Sequence, residues 1–218
     1  MKTLLVMILL SSGLWAQSTA VPDAPTPQPQ HKRHFFSSPP MSYAKDAPPL
    51  GAGQKFELFL ANTVNPFQLL SAAATAGFSQ AIDSNHLYGQ GGEGYGKRFG
   101  AAYADAASRE FFGTFLFPSV LRTDPRYFRK EEGSFGSRTT YAISRVFVTR
   151  TDSKRSVPNV SLWAAAVASG GVANAYYPEN ERTVEQTFSR AGIAVGAQAG
   201  FNVFREFWPD IRRKVFKR

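Results

Sequence analysis

Small residues recur four apart along almost every apolar stretch of this 218-residue chain. Gly96, Gly100, Ala104 and Ser108 do so in one segment, Ala166 and Gly170 in another, and Gly192, Gly196 and Gly200 in a third. Residues four apart lie on one face of a helix. Glycine inside a helix costs about 1 kcal/mol relative to alanine, so a stripe of them needs a compensating contact. The expectation is an all-α fold of about five helices, in which Gly96, Gly100, Gly170, Gly192, Gly196 and Gly200 let helix backbones approach closely.

Punctuation residues divide the chain. Residues 1–20 have a charged start at Lys2, an apolar run from Leu4 to Leu10, and small residues Ser18-Thr19-Ala20, the pattern of a secretory signal peptide. Residues 21–54 hold Pro22, Pro25, Pro27, Pro29, Pro39, Pro40, Pro48 and Pro49 and read as a disordered, proline-rich linker. A helical domain is expected over 55–218. Its helices are expected from Lys55, from Pro66 to Asp83 behind an Asn65 cap, from Lys97 to just before Pro118, over Thr139–Thr149, from Val160 to Tyr176, and from Thr183 to Phe207. Pro209 should break the last one.

Composition limits the chemistry. Cysteine is absent, which removes disulfides, thiolate metal sites and cysteine nucleophiles. Three histidines are present and two fall in the linker, so no paired-histidine metal motif exists; neither does a nucleophile elbow. The net charge is +9. For an exported chain this points to an anionic membrane surface or envelope polymer as partner, not to nucleic acid. Uncharged windows at 58–82, 156–178 and 191–204 are interrupted by Asn, Gln and Pro, and the mean hydropathy is −0.24, which favours a soluble or membrane-associated bundle over a multispanning one.

One stretch imitates a nucleotide site. In GQGGEGYGKR, Gly89, Gly91 and Gly94 spell a dinucleotide loop, and Gly91, Gly96 and Lys97 most of a phosphate loop. A phosphate loop needs a strand before it and Ser or Thr after the lysine, where this chain has Arg98. The reading is a glycine-rich connector pinned by Tyr88 and Tyr95, with no nucleotide and no cofactor. No catalytic or metal-binding residue is assigned. Asp105, Asp124, Asp152, Glu206 and Asp210 stand near Arg109, Arg126, Arg145, Arg205 and Arg212 and read as structural ion pairs. The alternative is a hydrolase acting on an anionic envelope substrate through Asp124, Arg126 and Arg138. At the C-terminus, Phe204, Phe207 and Trp208 with Arg212, Arg213 and Lys214 are candidate membrane-surface contacts.

The segments YGQGGEGYGKRFGA, FPSVLRTDPRYFRK, NAYYP and FREFWPDIRRK resemble a family of uncharacterised exported bacterial proteins. The resemblance spans about Asn65 to Lys214. It implies an envelope location and transfers no activity, cofactor or site residue; the chain as a whole reads as an envelope-associated protein with a structural or interaction role.

Overall fold

Capping chemistry sets the helix starts. In the computed structural model, which describes residues 42–84 and 86–215, α1 spans Ala52–Thr63 and α2 spans Pro66–Ala81. Asn65 accepts the amide N–H of Phe67 at 2.8 Å, with Pro66 at the first helical position, as the sequence indicates. Helix α3 (Gly91–Glu110) runs into a π-helical stretch, Phe111–Leu116, and then into α4 (Phe117–Val120). Helix α5 is Phe135–Ser144, α6 is Val160–Ala173, and α7 is the long Val184–Val215. Among the described residues the rest of the regular structure is short turns and one small antiparallel sheet, β1 (Thr123–Asp124), β2 (Val148–Thr151) and β3 (Ser156–Pro158), in the order β1-β2-β3. The fold is thus all-α in character. Helix α2 packs on α3, and α7 packs on both α5 and α6.

Several boundaries differ from expectation for identifiable reasons. The helix expected over Thr139–Thr149 starts earlier and stops at Ser144, because the β-branched run Val148-Thr149 joins the sheet. Pro118 does not end its helix, since it falls in the first turn of α4, where its missing N–H is not needed. Pro209 lies inside α7 instead of breaking it. The neighbouring turn is braced from outside, because Arg129 and Arg138 both donate to the Glu206 carbonyl, at 3.0 and 2.8 Å. The connector over GQGGEGYGKR is shorter than expected: the left-handed Gly89 and Gly91 turn the chain and α3 begins at once. Arg98 closes this turn by donating to the carbonyls of Ser84 (3.0 Å) and Gly89 (2.5 Å).

The segment 42–51, expected to be linker, is part of the domain. Tyr43 donates its amide to the Tyr127 carbonyl at 3.0 Å, and the carbonyls of Lys45 and Pro48 accept from Arg150 and Arg126, both at 2.6 Å. The expected signal at 1–20, the rest of the linker up to Met41, and Lys217 and Arg218 lie outside the described residues.

The small-residue stripes behave unevenly. A Cβ at Gly170 would stand 2.8 Å from the Thr187 carbonyl, so α6 and α7 do touch backbone to backbone there. At Gly96, Gly100, Gly192, Gly196 and Gly200 a Cβ would meet no atom within 4 Å. These five do not make the expected close contacts within the chain, because they face outward from α3 and α7. The buried layer is instead alanine-rich: Val146, Ala166, Ala191 and Val195 form its apolar centre. The largest fully buried side chains are Lys55, Glu206 and Pro118.

Candidate functional site

A cavity of about 730 Å³ opens between α1, the α3–π-helix junction, β1, β2, α6 and α7. The π-helical stretch lines one wall with Gly113 and Thr114, next to Arg109 and Glu110. A π-turn admits one extra residue per turn and recurs at functional sites. Leu162, Ala165 and Ala166 of α6 and Ala194 of α7 form a smooth apolar wall. The small residues of α6 that the spacing assigns to helix packing therefore also shape a cavity.

Five arginines line this space: Arg109, Arg126, Arg145, Arg150 and Arg205. Only two carboxylates, Glu110 and Asp124, line it with them. Asp124 is already engaged. Its two oxygens accept from Arg126 Nε (2.9 Å) and Nη2 (2.6 Å), and Oδ1 also accepts the Arg126 amide at 3.1 Å. This fork is local, built by the Asp-Pro-Arg turn, and it is buried. Glu110 accepts from Asn62 Nδ2 (2.8 Å) and Thr114 Oγ1 (2.7 Å), and its charge acts on Arg205 without forming an ion pair with it.

Three of the other four guanidinium groups share one arrangement. Arg145 lies 4.5 Å over the ring of Tyr141, Arg150 3.6 Å over Phe128, and Arg205 4.4 Å over Phe201. A ring against one face fixes the guanidinium plane and leaves its edge donors available. Arg145 donates only weakly to Ser144 Oγ at 3.4 Å, Arg150 donates to the Lys45 carbonyl, and Arg205 makes no hydrogen bond among the described residues. In all three the Nε atom is shut off from solvent and has no partner. Burial pushes the Arg205 pKa down from its usual value, and the Glu110 charge only partly offsets this. Tyr127 points its hydroxyl at Glu206 (2.9 Å); burial, then that carboxylate, push its pKa up, so it stays a neutral donor at the cavity edge.

The sequence pairs these arginines with nearby acids, and the structure pairs the acids otherwise. Asp105 accepts from the hydroxyls of Tyr176 (2.6 Å) and Tyr177 (2.8 Å), not from Arg109. Asp152 holds Lys55 at 2.9 Å. Glu206 holds Arg138 at 3.0 Å, and Asp210 holds Arg138 and Arg213. Among the five acids, only Asp124 keeps its expected partner, Arg126. Tyrosines, Lys55 and other arginines took the rest, which leaves Arg109, Arg145, Arg150 and Arg205 of the cavity without carboxylates. The one sequence signal for this was the excess of basic over acidic residues.

Asp124, Arg126 and Arg138 do not converge. The first two face the cavity, while Arg138 sits in the Glu206–Asp210 cluster and does not line it. Of the C-terminal candidates, Phe204 packs on Trp208 (5.1 Å) and Phe207 on Phe135 (4.9 Å), all but Phe135 half-buried, while Arg212, Arg213 and Lys214 are exposed. Lys97 of the imitation phosphate loop is paired with Glu93 one turn away. Among the described residues no cluster of acids and histidines could hold a metal, and no helix is long and apolar enough to cross a membrane. No family model matches this chain, and no curated protein or solved structure is significantly similar to it.

Proposed function

We propose that this is an exported, envelope-associated helical domain that binds a phosphate-bearing ligand in its arginine-lined cavity. The observation behind this reading is the trio Arg145, Arg150 and Arg205, ring-stacked, with solvent-inaccessible Nε atoms and no carboxylate partner. An unsatisfied buried donor costs about 1–3 kcal/mol, and more when charged. A fold that keeps three such groups around one cavity sacrifices stability there, which is the signature of a binding site. Arginine forks match the oxygens of phosphate, and a tetrahedral dianion answers several of them at once. The hydrolytic alternative gains no support from the geometry, since Asp124 is held by Arg126 and Arg138 faces another cluster.

The test is thermal unfolding of the full chain in inorganic phosphate against sodium chloride of equal ionic strength. Phosphate at one hundred times its dissociation constant should stabilise the protein by about 2.7 kcal/mol. Arg205→Gln should lose most of this response, while the ligand-free variant stays as stable as the parent or gains stability. No phosphate-specific shift in the parent would refute the proposal.

A further inference from the structure

We infer that the ligand is an amphiphile: a phosphate head on the arginines and an alkyl chain that leaves over Phe201 and Phe67 onto the outer face of α2. This rests on the anion-binding reading above and adds the rest of the molecule. Arg205 stacks on Phe201 one turn earlier in α7. Phe201 in turn stacks on Phe67 of α2, with ring centroids 6.5 Å apart and planes within 17°. All three side chains line the cavity. The cationic floor is therefore joined to the rim by two aromatic rings rather than by polar groups.

Beyond the rim the apolar path continues. Phe67 is 54% exposed, and Leu70 and Phe78 are each 67% exposed. At 100° per residue, Phe67, Leu70, Ala74 and Phe78 fall within one narrow stripe of α2. Large apolar groups on a soluble surface need a partner when they are contiguous. Here the stripe starts at the mouth of a cationic cavity, so charge and apolar surface are in the order of a head and a tail. Phosphate alone would use the floor and leave Phe67 and the stripe beyond it without a role.

The chemistry is shared by a free alkyl phosphate and by a phosphate lipid in a bilayer. Isothermal titration of the full chain with methyl phosphate and with octyl phosphate, the latter below its micelle concentration, measures the tail directly. A fully buried methylene improves affinity about fourfold, so octyl phosphate should bind at least tenfold more tightly than methyl phosphate even with partial burial. Phe67→Ala and Leu70→Gln should each shrink that ratio; both positions are exposed, and far-UV circular dichroism checks the fold. Sedimentation with phosphatidylcholine vesicles containing phosphatidic acid separates the sources: co-sedimentation supports a bilayer lipid, and binding of octyl phosphate without it supports a free amphiphile. Equal affinity for the methyl and octyl compounds would overturn the tail while leaving phosphate binding intact. Octyl glucoside binding as tightly as octyl phosphate, or an unchanged ratio in both variants, would also overturn it. Failure of every phosphate compound to bind would overturn the anion-binding reading itself.

Discussion

Glu206→Gln isolates the buried ion that organises the C-terminal half of the domain. The Glu206 side chain is wholly buried in α7. Its Oε2 accepts from the Tyr127 hydroxyl (2.9 Å) and the Lys130 amide (3.0 Å), and its Oε1 from the Glu131 amide (3.1 Å) and Arg138 Nε (3.0 Å). Glutamine has the same shape, but its NH2 group must replace one oxygen and then faces two donors. Two donors are thereby orphaned, at about 1–3 kcal/mol each, and Arg138 loses a charged partner. The cost should be about 3–5 kcal/mol, the range for breaking a buried ion pair by removing one partner. Urea unfolding at pH 7, with an unchanged m-value, reads this directly. The pH dependence supplies a second readout. Burial opposes ionisation of Glu206, but the bonds from Lys130, Arg138, Glu131 and Tyr127 outweigh it and hold the pKa below the usual carboxylate value. A lowered folded-state pKa means the contribution is full above the unfolded value, about 4.3, and is lost as pH falls through the folded value. The parent–variant gap should therefore be widest at neutral pH and narrow below about pH 4. A loss under about 1 kcal/mol, or a gap constant from pH 7 to pH 3, would refute this account of the cluster.

Three further substitutions test local claims. Asn65→Ala should cost about 1 kcal/mol by leaving the first turn of α2 without its cap, measured as a fall in the urea midpoint; an unchanged midpoint would show that Pro66 alone fixes that start. Gly170→Ala should cost about 1–3 kcal/mol because its Cβ meets the Thr187 carbonyl, whereas Gly196→Ala, with open space around it, should stabilise by about 0.4–1 kcal/mol; the same sign for both would contradict the geometry of α6 and α7.

Features governed by local chemistry were legible in the sequence. The Asn65 cap, the start at Thr183 and the helical character follow from short-range patterns. Arg98, which stands where a phosphate loop carries Ser or Thr, holds the carbonyls of Ser84 and Gly89. Features that depend on which distant element arrives first were not legible. The arginine cavity is one of these. Spacing placed Arg109 beside Asp105 and Arg145 beside other acids, but Tyr176 and Tyr177 from beyond α6 reached Asp105, and Lys55 of α1 reached Asp152. The small-residue stripes had a similar ambiguity. Spacing shows that a face is narrow, and cannot distinguish a face pressed against a backbone, as at Gly170, from one turned outward, as at Gly196.

The buried cations of this chain sort by what removing them would do, and that sorting separates fold from function. Lys55 donates to both oxygens of Asp152 and to the Pro118 carbonyl, tying α1 to α4 and the β2–β3 turn. Arg98 is satisfied by loop carbonyls, and Arg126 by its own turn. Neutralising any of these strands an acceptor or a carboxylate, so the fold loses stability. Arg145, Arg150 and Arg205 differ because no carboxylate depends on them. Arg205 is the clear case: replacing it with an uncharged residue removes a desolvated charge and strands no acceptor, whereas Arg150 also holds the Lys45 carbonyl. Residues retained for folding and residues retained for a ligand thus give opposite signs in the same unfolding experiment. Replacing Arg205, which lines the cavity, should give the stabilising sign, and replacing Lys55, which does not line it, the destabilising one.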